Sequence, residues 1–275
     1  DIVFHLAAQP LVRRSYRDPV ETFTTNILGT VNLLQALRQV NSLKAVLVVT
    51  SDKAYDNCSN DKRRLSRLFQ ENDPLGGNDP YSASKAAQEI VTRSFAQNFF
   101  RDPNIPVATA RAGNVIGGGD WSEDRLMTDV LQAVSENVPI RLRAAKSTRP
   151  WQHVLEPLAG YLLYVEALVA GRGNERALNF GPCRSHQVME VVDIILTHYP
   201  DNSGWVEEPS PDPEAEALAL DSSRAMAALG WKTRLTLKEA LSMVVRWHKA
   251  HAADEDVFAA TLGQIACYEE VLRKP

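Results

Sequence analysis

Tyr81 and Lys85 stand four residues apart in the run NDPYSASK. On a helix, that spacing puts both side chains on one face. A phenol with a pKa of ~10 is a poor base at neutral pH, and a neighbouring ammonium favours its phenolate. The pair can therefore move a proton on and off an alcohol, and Lys85 can also hold the ribose of a nicotinamide cofactor. An ordinary helix shows Y-x-x-x-K by chance often enough that the motif gains weight only from its company.

That company lies at three places. Thr50, Ser51, Asp52 and Lys53 follow the apolar run Ala45–Thr50 and send a hydroxyl, an acid and an amine toward one end of it. Arg111, Ala112, Gly113 and Asn114 follow a second apolar run. His5 to Gln9 follow a third, where Ala7 and Ala8 are small enough for a ligand to lie against the backbone. His5 itself is expected to be held by local hydrogen bonds rather than to act as a base. Farther on, Arg149 and Trp151 join Arg143 and Arg125. Guanidinium forks suit the oxygens of a diphosphate, although solvated surface arginines fit the same spacing.

The elements that must position these groups are legible in the apolar periodicity. Three short apolar runs, Ile2–Ala7, Ala45–Thr50 and Val107–Ala110, have the character of strands buried on both faces. Between them, Thr25–Val40 (with Ile27, Val31 and Leu34) and Ser82–Phe100 (with Ala86, Ile90, Val91 and Phe95) repeat at the helical period. This alternation predicts right-handed βαβ units: an α/β fold built on a Rossmann-type doubly wound parallel sheet. Ligands of such sheets sit beyond the carboxyl ends of the strands, where the polar clusters fall. Past the loop Gly117–Gly119 the spacing predicts a helix over Asp124–Asn137, a strand over Ile140–Arg143, a helix over Leu155–Ala170 and a strand over Ala177–Phe180. Glu207–Glu216 reads as a surface loop, and Thr236 with Glu239 as the capping box of a last helix. Two lobes are expected: 1–112, with 151–181 returning to it, and a smaller substrate-binding lobe of 113–150 and 182–275.

Composition narrows the function classes. The 275 residues are 44% hydrophobic and 23% charged, as in an ordinary globular protein. A net charge of −4 argues against a general nucleic-acid binder. Cys58, Cys183 and Cys267 form no C-x-x-C pair, so neither a zinc site nor a disulfide framework is expected. No run is long and apolar enough to span a bilayer, no metal is expected, and the cytoplasm is the expected location. The chain opens directly on the core strand DIVFHLA, which suggests a fragment cut before its fourth strand.

Together, HLAAQPLVRRSY, NILGTVNLLQA, VVTSDKAYDN, NDPYSASK, RAGNVIGGGDW and RPWQHVLEPLAGYL resemble the extended short-chain dehydrogenase/reductase family. Within it, TSDK, where dTDP-glucose dehydratases have TDE, is similar to the CDP-glucose 4,6-dehydratases. The resemblance runs from His5 to about His248. It implies NAD as cofactor, held by Ala7, Ala8, Gln9, Thr50, Tyr81, Lys85 and Ala112, and a nucleotide sugar such as CDP-glucose as substrate, gripped by Asn114, Arg125, Arg143, Arg149 and Trp151. The implied catalytic set is Ser51, Asp52, Lys53, Tyr81 and Lys85. Tyr81 takes the proton of the sugar 4-hydroxyl, Lys53 removes the C5 proton, and Asp52 protonates the departing 6-hydroxyl. A homodimer or dimer of dimers, through Thr25–Val40 and Ser82–Phe100, is implied as well.

Two departures stand out. The family's G-x-x-G-x-x-G loop would lie upstream of Asp1, and Pro213-Glu214-Ala215 replaces its usual P-H-E-A. Three alternatives stay open: a 4-epimerase, a dehydratase of dTDP- or GDP-sugars, and a remnant without activity.

Overall fold

Four mainly apolar runs, one of them free of any charged or strongly polar side chain, form one parallel sheet. The structure is a computed structural model that describes residues 1–56, 68–101, 104–173, 175–208 and 219–274. The chain begins with β1 (Ile2–His5), α1 (Val12–Arg17), α2 (Pro19–Phe23), a π turn (Thr24–Leu28), α3 (Gly29–Leu37), β2 (Ala45–Val49) and a 3₁₀ turn (Asp52–Ala54). It continues through α4 (Pro80–Phe99), β3 (Val107–Ala112), β4 (Val115–Ile116), α5 (Leu126–Glu136) and β5 (Ile140–Leu142). Next come β6 (Thr148–Arg149), β7 (Gln152–His153), α6 (Leu155–Val169), β8 (Ala177–Phe180), β9 (His186–Gln187) and α7 (Val188–Leu196). The last elements are β10 (Trp205–Glu207), α8 (Ser223–Leu229), α9 (Leu237–Ala252) and α10 (Val257–Leu272).

The chain divides into two compact units. The first comprises Asp1–Gly113, Leu158–Cys183 and Ala219–Lys232. Its sheet has the order β1-β2-β3-β8, parallel throughout, with Ile2 opposite Ala45, Val46 opposite Val107 and Thr109 opposite Ala177. Because side chains alternate along a strand, Val46 and Val48 meet Leu34, Leu37 and Phe100 on one face. Ala45 and Leu47 meet Tyr161, Tyr164, Val165 and Phe180 on the other. Covering both faces is what makes these strands mainly apolar, and in β2 apolar without interruption.

The helix expected over 25–40 starts earlier and is not uniform. Asp18 caps it, accepting the Glu21 N–H at 2.8 Å, and Pro19 fits the first turn. The π turn then interrupts it, and it ends at Leu37. The helix expected from Ser82 starts two residues sooner, at Pro80, under an Asp79 cap.

The second unit comprises Asn114–Pro157, Arg184–Leu218 and Thr233–Pro275. Its core joins Val130, Ile140, Leu142, Val191, Ile195, Leu241 and Val244. Thr236 and Glu239 form the expected capping box at α9. That helix is not the last, however: α10 follows, capped by Asp256. Its outer face keeps Phe258, Leu262 and Ile265 exposed, so it shows little polar–apolar contrast in sequence. In the stretch expected as a loop, Glu207 belongs to β10, which pairs with β5; residues 209–218 lie outside those described. Among the described residues no helix is long and apolar enough to cross a membrane, and no acidic, histidine or cysteine cluster fits a metal ion.

Candidate active site

β2 ends at Val49, and Thr50 still donates its N–H to Ala110 on β3 at 2.8 Å. Ser51 then turns the chain: extended itself, it caps the 3₁₀ turn by accepting the Lys53 N–H at 3.2 Å. Its hydroxyl donates to Asp52 Oδ1 at 2.9 Å. Ser51 and Asp52 are buried and Lys53 is half-buried. Gly113, just past β3, makes this burial possible. A Cβ there would stand 2.0 Å from Asp52 Oδ2, so only glycine lets the strand end pass the carboxylate.

The same 3₁₀ turn packs against α4. Asp79 caps that helix through the Ser82 N–H (2.9 Å), and Pro80 occupies its first turn. Tyr81, 8% exposed, donates its backbone N–H to Ser15 Oγ of α1 at 3.1 Å, which fixes the start of the helix. Lys85 follows one turn later, 3% exposed. Its ammonium donates to Gln88 Oε1 at 3.0 Å and, more distantly, to the Val49 carbonyl at 3.4 Å. Burial pushes its pKa down to about 8, against a smaller upward pull from Glu89.

Gln88 carries the contact inward. Its Nε2 donates to Thr30 Oγ1 (2.8 Å), which in turn donates to the Asn26 carbonyl (2.8 Å). His5 Nε2 meets the same Thr30 oxygen at 2.9 Å, so His5 is satisfied locally, as expected. Burial, and then the Lys85 charge, hold its pKa below the usual imidazole value.

Two residues expected to face a cofactor have their side chains engaged in building the frame. Gln9 donates from Nε2 to Leu11 O (3.1 Å) and Thr22 Oγ1 (2.8 Å) and accepts the Leu11 N–H at Oε1. The Thr50 hydroxyl donates to Glu89 Oε1 at 2.5 Å. Glu89 also accepts from Thr109 (2.7 Å) and, bidentately, from Arg111 (2.8 and 2.9 Å). Burial alone would push the Glu89 carboxyl up; the Arg111 fork and the two hydroxyls hold it below the usual range instead. Arg111 therefore braces the sheet. Ala7 is exposed, and Ala8 and Ala112 are half-buried.

The second unit holds a cavity of about 200 Å³ lined by Asn114, Arg125, Arg141, Arg143, Arg149 and Trp151. Asn114 reaches it through a left-handed backbone, φ 44°. Arg125 sits at the start of α5, and Trp151 Nε1, shielded from solvent, has no hydrogen-bond partner among the described residues. Arg143 pairs with Asp124 (3.0 Å) and stands 3.7 Å from Asp129, so much of its charge is answered inside the unit. Arg141, which the sequence did not single out, pairs with Glu208 at 2.8 Å. The cavity is smaller than the ~300–1,000 Å³ of a site enclosing a drug-sized ligand, and matches part of one.

The sequence profile of the GDP-mannose 4,6-dehydratase family matches residues 1–244. The chain belongs to this family. It is 44% identical to the CDP-glucose 4,6-dehydratase of Salmonella typhimurium, over 98% of this chain and 76% of that protein. The dTDP-glucose 4,6-dehydratase of Xanthomonas campestris pv. campestris (strain B100) is 27% identical over 90% of this chain and 72% of its own length. Two solved structures share the fold. RMD of Pseudomonas aeruginosa, complexed with NADPH, has a TM-score of 0.76 at 23% identity, covering 89% of this chain and 80% of that one. The UDP-glucose 4-epimerase of Thermotoga maritima, with UDP-glucose, has a TM-score of 0.78 at 21% identity, covering 91% and 78%.

Within this family framework the first unit collects the Ser51–Lys53 turn, Tyr81 and Lys85, and the second collects the arginines and Trp151. Sequence reasoning passed over Thr30, Gln88 and Glu89. Their signal was faint: a glutamine three residues after Lys85 and a threonine on the preceding helix look like solvent-facing positions.

Proposed function

We propose that this chain carries the NAD-dependent dehydration of CDP-glucose to CDP-4-dehydro-6-deoxyglucose. The observation that carries it is an acid and an amine, Asp52 and Lys53, on the turn packed against the helix of Tyr81 and Lys85. An alcohol oxidation needs only the second pair; loss of water needs the first as well. The 44% identity to the Salmonella dehydratase supports the same choice of nucleotide.

The residues present fit a nicotinamide cofactor. Ala7 and Ala8 raise no side chain beyond Cβ over the end of β1, and among the described residues the Lys85 ammonium uses two of its three N–H groups. Tyr81, Lys85 and Ala112 complete the set that would hold it. NAD supplies, when bound, a reversible hydride acceptor, so C4 is oxidised and C6 reduced with no net redox change. Tyr81 takes the 4-hydroxyl proton, its phenolate favoured by the Lys85 cation. Ser51 donates to the 4-oxygen. That role uses the one Ser51 proton that otherwise goes to Asp52, so the bond between them reverses, with a protonated Asp52 donating to Ser51 Oγ. The 4-ketone acidifies the C5 proton, Lys53 removes it, and Asp52 gives its proton to the 6-hydroxyl as water leaves. In the second unit, Asn114, Arg125, Arg149 and Trp151 bind the nucleotide diphosphate, with Arg143 contributing less because Asp124 and Asp129 share its charge.

A homodimer, or a dimer of such dimers, belongs to the same proposal. Val20, Phe23 and Leu28 on one helical segment and Ile90 on α4 are exposed and offer an apolar face to a second copy. The exposed thiols of Cys183 and Cys267 fit the reducing cytoplasm. Incubation with CDP-glucose and NAD should yield the alkaline absorbance of a 4-keto sugar. Product from dTDP- or GDP-glucose alone would overturn the substrate, and full turnover by Lys53→Ala would point to an epimerase instead.

A further inference from the structure

The assignment of Lys85 to the redox pair leaves open what holds its ammonium in place. Resting on that assignment, we propose that Gln88 is a positioning residue for Lys85: it orients the ammonium through an uncharged acceptor and is itself locked by Thr30 and His5.

Counting protons fixes the orientation. An ammonium can only donate, so the Gln88 carbonyl must face Lys85 and its NH₂ must face Thr30. The Thr30 hydroxyl has one proton, and a carbonyl can only accept, so that proton goes to Asn26 O. Thr30 Oγ1 is then an acceptor for both remaining partners, and His5 must donate to it from Nε2. Every hydrogen bond from His5 to Lys85 therefore has one allowed direction. Gln88 and Thr30 are wholly buried, and His5 is 8% exposed. Flipping the Gln88 amide would bring NH₂ against NH₃⁺ and two acceptors together at Thr30, each a buried unmade hydrogen bond.

The absence of charge on that acceptor matters as much as its orientation. The nearest acid along the helix, Glu89, has both oxygens engaged by Arg111, Thr50 and Thr109. Its pull on Lys85 is real, but it is answered by the Arg111 cation. His5 on β1 feels the Lys85 charge, Tyr81 stands one turn earlier on the same helix, and Asp52 and Lys53 lie on the turn packed against that helix. A glutamate at position 88 would cancel the charge that Tyr81 needs; glutamine keeps the ammonium still and leaves its field intact.

Lysine-¹⁵N-labelled full chain, with the Lys85 ammonium signal assigned by its loss in Lys85→Arg, tests this without any substrate. In the wild type the signal should exchange slowly with water and titrate near 8. Gln88→Glu should raise that midpoint by at least one unit, a tenfold change in the proton equilibrium. Gln88→Met should speed ammonium exchange at least tenfold and lower kcat about tenfold, with KM for the nucleotide sugar within twofold. A midpoint unmoved in Gln88→Glu, or an exchange rate unmoved in Gln88→Met, overturns the proposal. Should neither variant fold, a wild-type Lys85 signal exchanging as fast as that of exposed Lys238 overturns it alone. Absence of a 4-keto product, with the lysine titration as expected, would instead count against the CDP-glucose assignment.

Discussion

Replacing Lys85 with methionine should change how stability depends on pH. Lys85 is 3% exposed, and the pKa of its ammonium drops from 10.5 to about 8 through burial. That shift of about 2.5 units corresponds to on the order of 3 kcal/mol of unfavourable burial of the charged form. Below pH 8 both the folded and the unfolded chain hold the proton, and the penalty is present in full. Between about 8 and 10.5 the folded chain has released the proton while the unfolded chain keeps it, so wild-type stability rises with pH across that window. Methionine removes the penalty but leaves Gln88 Oε1 without its donor, at ~1–3 kcal/mol. At pH 7 the variant should therefore match or exceed the wild type by up to ~2 kcal/mol while losing dehydratase activity. Its relative advantage should shrink by on the order of 3 kcal/mol between pH 8 and 10.5. Urea unfolding of both proteins at pH 7.5, 9 and 10.5 measures this, and other titrating groups cancel in the comparison. A stability difference that stays flat with pH would refute the reasoning.

Glu89→Gln should destabilise the first unit by ~3–5 kcal/mol, because it strands the buried Arg111 cation. Glu89 titrates below its ordinary 4.5, so its stabilisation is present above that value and is lost as pH falls through the folded pKa; the variant should lose that part of the acid limb in denaturant titrations. Gly113→Ala drives a Cβ into the Asp52 carboxylate and should lower stability by ~1–3 kcal/mol; a melting temperature and keto-sugar yield both equal to wild type would count against the close approach. His153 has its pKa pushed down to about 4 by burial, against 6.5 when unfolded. The unfolded chain alone takes up a proton between 6.5 and about 4, so stability falls as pH drops through that window. His153→Phe should flatten the slope in urea titrations at pH 7, 5.5 and 4.5, and an unchanged slope would assign it to other groups.

Much of the first unit was legible because its strands are buried on both faces, and uninterrupted runs such as AVLVV have few other uses. The polar clusters at strand ends were legible for the same reason: polarity begins where burial by helices stops. What escaped was polarity inside. Thr22, Asn26, Thr30 and Gln88 are wholly buried, yet in sequence they are the residues that ordinarily face water. Their burial depends on partners 13 to 58 residues away, and local periodicity carries no such information. Arg141 was missed because a charged residue between Ile140 and Leu142 looks like the wet face of an edge strand. α10 was missed because its apolar residues point outward as well as inward.

The π turn at Thr24–Leu28 is what keeps those buried polar groups in line. Thr22, Asn26, Thr30 and Leu34 are all fully buried, and they recur every fourth residue. An α-helix completes three turns in about 10.8 residues, so a strict period of four would carry Leu34 roughly 120° around from Thr22. The one extra residue of a π turn raises the count to about 11.8, close to the twelve that separate them. The helix thus presents a straight column: two hydroxyls and an amide that tie the Gln9 loop and Lys85 to one scaffold, then a leucine that seats the column in the core. Deleting one residue from Thr24–Leu28 would make a more regular helix and a worse protein, because either the polar half or the apolar half would rotate out of register.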